Sequence, residues 1–131
     1  MVETLRAMAT LVRAINRTRG TVLCERLERA ATSLERSRGL LGRQSLEPDA
    51  GMLFAASRLT PFLWMHMFLM RFPIDIVFLN RDGRVLKIDH RLRPWRVSSL
   101  VFGARQALEL AAGSAERSQT QPGDQIILEP A

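Results

Sequence analysis

The sequence predicts one small domain of mainly β structure, an antiparallel barrel or sandwich with one or two short helices. A chain of 131 residues fits a single domain, and a domain of that size buries enough surface to fold without a disulfide or a metal. Its 47% hydrophobic and 24% charged residues are typical of a globular protein. Short β-branched and apolar runs alternate with turn signals, which favours a small barrel or sandwich.

Residues 1–19 predict an amphipathic helix or extension, followed by a β-rich domain over residues 20–131. The apolar residues Leu5, Met8, Val12 and Ile15 recur at helical spacing. Such a basic helix can touch a membrane surface or a partner, although a helix packed on its own domain is the commoner case. Charged residues interrupt every apolar run in it, so we see no secretion signal and expect a cytoplasmic protein.

Alternating apolar patterns predict strands at residues 21–27, 52–55, 74–80 and 85–90, with further apolar segments at 104–111 and 125–129. The capping box from Thr32 to Glu35 predicts a short helix, and Ser114 can cap one helical turn. Between Pro61 and Pro73, residues 62–72 are limited to one element, which the pattern leaves open as a strand or a helix.

The long apolar run of residues 62–83 is not a membrane span. Arg71, Pro73 and Asp75 fall inside any window long enough to cross a bilayer. A charge at the centre of a span costs about 2.5–3.5 kcal/mol on insertion scales.

The net charge of +6 comes almost entirely from arginine, because Lys87 is the only lysine among 19 basic residues. Residues 1–49 and residues 50–131 each carry a net charge of +3, with 9 basic and 6 acidic groups in the first part and 10 and 7 in the second. This even division is unlike a dedicated nucleic-acid-binding tail.

A three-residue hairpin loop at residues 81–83 predicts that Asn80 pairs with Arg84. The resulting register puts Asp75 directly opposite Asp89 and gathers one apolar face: Ile74, Ile76, Phe78, Leu86 and Ile88. Two close carboxylates can act as acid and base or bind a hard cation. Alternatively, Lys87 and nearby arginines neutralise them, or Asp75 accepts backbone amides.

No cofactor or metal is predicted. Thioether and imidazole suit copper, but in a strand Met65 and Met67 point away from His66 and Met70, so core methionine is the favoured interpretation. The single cysteine, Cys24, excludes an intrachain disulfide and is expected to be buried. His90 has no partner at the ligand spacing of a zinc site.

Several motifs in order resemble the bacterial and archaeal family called domain of unknown function 192. They are RGLLGR at residues 38–43, GMLF at 51–54, FPIDIVFL at 72–79, DGRV at 82–85, LELAAG at 108–113 and PGD at 122–124, with the methionine-rich segment at 64–70. The resemblance implies a compact β-rich domain and no established activity. Residues 92–97 are similar to a subset of relatives encoded beside pilus or secretion machinery, which implies an accessory role.

We therefore expect a non-catalytic binding or accessory module with a protein partner. The expected binding residues lie on the polar side of the 74–90 hairpin and in the loop that follows it: Asp75, Lys87, Asp89, Arg93, Trp95 and Arg96. One alternative is a hydrolase that uses Asp75 and Asp89. A second is an anion or nucleic-acid binder that works through its arginines, although the sequence offers Trp95 without a second stacking platform.

Overall fold

The computed structural model describes residues 11–30, 40 and 43–131. They form a seven-stranded sheet, a two-stranded sheet and one short helix, which confirms the predicted mainly β class. The elements are β1 (Leu11–Asn16), β2 (Thr21–Arg29), β3 (Ala50–Ala55), β4 (Phe62–Leu63), β5 (Ile74–Leu79), β6 (Val85–Leu92), β7 (Val101–Phe102), β8 (Gln106–Ala111), α1 (Ser114–Arg117) and β9 (Ile126–Pro130).

The large sheet has the order β6-β5-β8-β3-β2-β1-β9, and β4 pairs with β7 in the small one. Neighbouring strands are antiparallel except for β2 and β3, which are parallel. A parallel pair needs a long connection, and residues 30–49 supply it here.

The large sheet curls into a half-barrel because its edge strands meet at one corner. The Val85 amide donates to the Asp124 carbonyl at 2.8 Å, and the Ile126 amide donates to Gly83 at 2.9 Å. Gly83 has φ +83°, and a Cβ there would lie 2.6 Å from the Ile126 carbonyl oxygen. Only glycine fits this corner without a shift of the backbone.

Two hydrophobic clusters lie on the two faces of the large sheet. The interior cluster fills the half-barrel and includes Leu23, Leu27, Val77, Leu79, Leu108 and Leu110. The outer cluster lies on the other face and includes Met52, Met67, Met70, Ile74, Ile76 and Phe78. The apolar residues of β5 alternate between the two clusters, and all six residues of the strand are buried, as expected of a strand covered on both faces.

The outer cluster is covered by residues 56–72 and 91–105, hereafter the lobe. Its two segments are joined by β4 and β7, by an isolated bridge between His66 and Val97, and by a hydrogen bond from the Met67 amide to the Arg96 carbonyl at 2.7 Å. Residues 62–72 do not form one element, since only Phe62 and Leu63 are in a regular strand. Met67 and Met70 are buried in the outer cluster as core residues.

The predicted N-terminal helix is wrong where the structure describes it, because residues 11–16 are strand β1. Val12, Ala14 and Asn16 alternate as buried residues. The strand lies between β2 and β9, so both of its edges are hydrogen-bonded, which outweighs local helical spacing. Residues 1–10 and the predicted helix beginning at Thr32 lie outside the described residues. In the described part of the chain, no helix is long and apolar enough to cross a membrane.

Candidate binding surface

The predicted carboxylate pair is wrong, because a β-bulge displaces the hairpin register. The turn forms as predicted, with the Asn80 amide donating to the Arg84 carbonyl at 2.9 Å and Leu79 opposite Val85. One position further, however, Phe78 pairs with Lys87 and Ile76 with Asp89. An inserted residue moves every later side chain to the other face, so Asp89 faces away from Asp75.

The bulge also overturns the predicted single apolar face. Ile88 now lies opposite Val77 and packs in the interior cluster, whereas Leu86 is left 36% exposed. The interior face of β5 thereby gains an apolar cross-strand partner on β6.

Asp75 is fully buried and acts as an acceptor for three backbone amides. Its Oδ1 accepts from Arg91 at 2.8 Å, and its Oδ2 accepts from Gly113 at 3.1 Å and Ala115 at 2.9 Å. A second irregularity in the β5–β6 pairing, where Arg91 has φ +49°, accompanies the first of these bonds. The geometry agrees with the alternative in which Asp75 serves the backbone. A residue with no exposed surface does not belong to the predicted binding surface.

Asp89 holds the lobe against β6. Its carboxylate accepts a hydrogen bond from the Ser99 amide at 2.6 Å and another from the Ser99 hydroxyl at 2.8 Å. Such charge-assisted bonds are stronger than neutral ones. Asp89 therefore positions the segment that runs into β7, while Lys87 beside it is exposed.

The lobe displays a continuous row of four exposed rings, hereafter the aromatic row: Trp64, His66, Phe68 and Trp95. The ring centroids of successive members lie 6.5, 5.0 and 6.3 Å apart. Alternation along the chain explains the first three, because Met65 and Met67 point inward between them. Trp95 joins from a distant segment because its amide donates to the Met67 carbonyl at 2.7 Å.

Backbone strain accompanies this exposed apolar surface. Leu69 and Trp95 have φ of 66° and 68°, a region that costs a bulky residue about 1–3 kcal/mol. Their side chains are nevertheless 63% and 62% exposed. Strain of this kind, with no burial to offset it, is typical of functional sites. Three more apolar side chains of the lobe are exposed outside the aromatic row: Val97, Leu100 and Phe102.

The lobe also carries an excess of positive charge equal to that of the whole chain. Its six charged residues are all arginines: Arg58, Arg71, Arg91, Arg93, Arg96 and Arg105. The remaining residues hold 13 basic and 13 acidic groups, from totals of 19 and 13. The predicted binding residues Arg93, Trp95 and Arg96 fall inside the lobe and are exposed. Arg105 is an exception in role, because its guanidinium donates to the carbonyls of Ser57 and Thr60.

Glu109 is a buried acid that sequence reasoning did not single out. On β8 it lies between Met52 of β3 and Ile76 of β5, on the side of the outer cluster. Burial raises the pKa of Glu109 to about 7. The only sequence signal was its place in the apolar segment LELA.

Other chemistry is limited in the described residues. No three His, Cys, Asp or Glu side chains among them lie close enough together to hold a metal ion. Cys24 is buried, and burial raises the pKa of its thiol to about 11. A thiol with so high a pKa is a poor nucleophile at neutral pH.

The chain belongs to an uncharacterised family. The model of domain of unknown function 192, described as "Uncharacterized ACR", matches residues 14–128. The chain is 32% identical over 117 residues to the UPF0127 protein of Thermococcus sibiricus, covering 86% of this chain and 71% of that protein. The predicted family resemblance is confirmed.

Two crystal structures share this fold. One, from Sinorhizobium meliloti, is described as a "putative transcription regulator"; it is 29% identical with a TM-score of 0.76, over 90% of this chain and 92% of that one. The other, a protein of unknown function from Novosphingobium aromaticivorans, is 29% identical with a TM-score of 0.74, over 89% of this chain and 83% of that one.

Proposed function

We propose that this protein is a non-catalytic binding module that holds an acidic partner on the exposed face of the lobe. The observation that carries the proposal is the coincidence of the aromatic row with the arginines of the lobe. Exposed apolar patches of this kind mark interaction sites, and a patch of one charge sign attracts ligands of the opposite sign.

A catalytic role has less support. The hydrolase alternative required Asp75 and Asp89 to share a site, but they occupy opposite faces of the sheet. Both carboxylates have backbone amides as partners, which is the usual arrangement for structural acids.

Two observations of different origin indicate two different classes of partner. The similarity of residues 92–97 to relatives encoded beside pilus or secretion machinery favours a protein partner. The related structure described as a "putative transcription regulator" favours nucleic acid, as does the second stacking platform that Trp64 and Phe68 supply beside Trp95.

Intrinsic fluorescence provides a direct test, because Trp64 and Trp95 are the only tryptophans and the chain has no tyrosine. We would titrate the protein with a single-stranded oligonucleotide, a glutamate-rich peptide and anionic lipid vesicles. We expect saturable changes in emission with at least one of them, weakened by salt.

The control separates the lobe from the rest of the surface. Arg93→Gln with Arg96→Gln should weaken binding, whereas Arg17→Gln with Arg81→Gln removes the same charge outside the lobe and should have a much smaller effect. If all three ligands fail to bind, or both double variants lose affinity equally, the proposal is wrong.

A further inference from the structure

We infer that the acidic partner is single-stranded nucleic acid, bound with its bases on the aromatic row and its phosphates on the flanking arginines. This inference rests on the proposed function and assigns its ligand class. The observation that supports it is the aromatic row itself, in which four exposed rings from two segments of the lobe lie next to one another.

The rings offer faces that unpaired bases can use. Trp64, Phe68 and Trp95 are 47%, 44% and 62% exposed. His66 and Phe68 are stacked, with an interplanar angle of 25°, and Trp64 and Trp95 continue the row at angles of 55° and 32° to their neighbours. Base–aromatic stacking contributes about 1–3 kcal/mol per base and tolerates any sequence. Bases in a duplex are paired and stacked on each other, so this mode selects single strands.

The arginines are placed to contact the backbone of such a strand. Arg93 and Arg96 flank Trp95 in the turn closed by the hydrogen bond between their backbones, and Arg71 follows the turn that exposes Leu69. All three are exposed. Arginine is suited to phosphate because its planar guanidinium can donate two parallel bonds. The lobe carries no acidic residue to repel phosphate.

Competing ligands fit this geometry less well. Recognition of the major groove by a helix does not fit, because the one helix in the described residues has four residues. A protein partner is usually anchored by a few aromatic side chains in separate desolvated pockets, whereas the rings of the aromatic row lie side by side on the surface. A lipid surface would engage the apolar side chains without requiring a parallel arrangement of rings.

The strained backbone has a purpose in this arrangement. With φ at 68°, Trp95 has its ring centroid 6.3 Å from that of Phe68, and so lengthens the row beyond Trp64, His66 and Phe68. In this conformation Trp95 is the fourth ring of the row.

The test measures binding of labelled oligonucleotides of about 12 nucleotides, within the site sizes that single-strand binders cover, by anisotropy and by quenching of Trp64 and Trp95. We expect the single strand to bind at least tenfold tighter than a duplex of the same sequence, with little dependence on base composition. Three phosphate contacts predict about a 20-fold loss of affinity between about 50 and 200 mM salt.

Variants distinguish stacking from general hydrophobic contact. Trp95→Ala and Phe68→Ala should each weaken binding by roughly 5-fold to 100-fold. Phe102→Ala is the matched control: Phe102 is 68% exposed in the same lobe but pairs with Phe62 outside the row, so we expect less than a twofold change.

The outcomes separate the two proposals. Equal affinity for single strand and duplex, or equal losses in Trp95→Ala and Phe102→Ala, overturns the inference. Binding of the glutamate-rich peptide or the vesicles with no binding of the single strand overturns it too, but leaves the proposed function standing. If no ligand binds, both fail.

Discussion

Replacing Asp75 should destabilise the whole domain, because this carboxylate joins three separate segments. It is fully buried and accepts amide hydrogen bonds from β6, from Gly113 before α1 and from Ala115 within α1. Leaving a buried donor without a partner costs about 1–3 kcal/mol. For Asp75→Ala, with three such donors of which only the Ala115 amide makes a fully buried bond, we expect a loss of about 4–6 kcal/mol.

Asp75→Asn keeps the shape and one acceptor oxygen but turns an NH₂ group toward amides that also donate. We therefore expect a smaller loss of about 2–3 kcal/mol. Even this is a large part of the 5–15 kcal/mol that stabilises an ordinary domain. Urea unfolding followed by circular dichroism measures the difference, with an unchanged slope indicating the same cooperative transition.

Asp82→Asn is the matched control, because Asp82 is an exposed acid in the adjacent hairpin turn and should change stability by less than about 0.5 kcal/mol. The reasoning is refuted if Asp75→Asn costs less than about 1 kcal/mol, since Asp75 would then not support the backbone as described. A catalytic acid would show the reverse pattern, with stability retained and an activity lost.

Three further predictions concern ionisation and strain. Burial gives Glu109 a pKa of about 7 in the folded protein, against the ordinary 4.5, so the folded state binds this proton more tightly than the unfolded state. The free energy of unfolding should therefore fall by about 3 kcal/mol as the pH rises from the unfolded to the folded pKa. Glu109→Gln should abolish this pH dependence, as measured by urea unfolding at several pH values. Burial opposes ionisation of Asp124, but hydrogen bonds from Asn16, Arg19 and Gln121 outweigh burial and lower its pKa. The ionised carboxylate should therefore stabilise the fold above pH 3.8, and this stabilisation should be lost as the pH falls through the folded pKa. The stability of Asp124→Asn should consequently depend less on pH below 3.8. Glycine adopts a positive φ without strain, so Trp95→Gly should leave the melting temperature unchanged or raise it. Val97→Gly is the control, because Val97 is an exposed residue of the isolated bridge, and this change should lower stability by about 1 kcal/mol. A clear loss of stability in Trp95→Gly would argue against stored strain.

The hairpin shows both what local sequence predicts and where it stops. The turn at residues 81–83 was predicted because Asn80 and Gly83 have strong local conformational preferences. The bulge after Val85 was not, because it depends on the burial of β5 on both faces, by the interior cluster on one face and by the outer cluster beneath the lobe on the other. Alternation of apolar and polar residues predicts a strand with one buried face, and it gives no sign that the second face is buried as well.

Strand β1 was predicted as a helix for a related reason. Leu5, Met8, Val12 and Ile15 have helical spacing, whereas the alternation that the structure uses runs through Ala14 and Asn16. A small residue and a polar one give no hydrophobic signal. Asn16 is buried because its side chain donates to Asp124 and Thr120, more than a hundred residues later.

The aromatic row and the charge of the lobe were likewise invisible along the chain. Trp95 reaches Phe68 only because the lobe folds two distant segments together, so the sequence displayed one candidate ring where the structure has four. Residues 50–131 have a net charge of only +3, because the 4 basic and 7 acidic groups outside the lobe offset its six arginines.

The position of β9 has a consequence for the order of folding. This strand covers the outer edge of β1, with Arg13 bonded to Glu129 across 116 positions, and residues before it hold the corner at Gly83. In a chain emerging from the ribosome, one edge of β1 therefore stays unpaired until nearly all the described residues have been made. Over the same interval the 81–83 hairpin turn lacks its hydrogen bonds to residues 124–126. Assembly is thus expected to be late and cooperative, and slow for a chain of this size because its pairings join remote positions. During that interval the open edge of β1 is a site for mispairing between nascent chains.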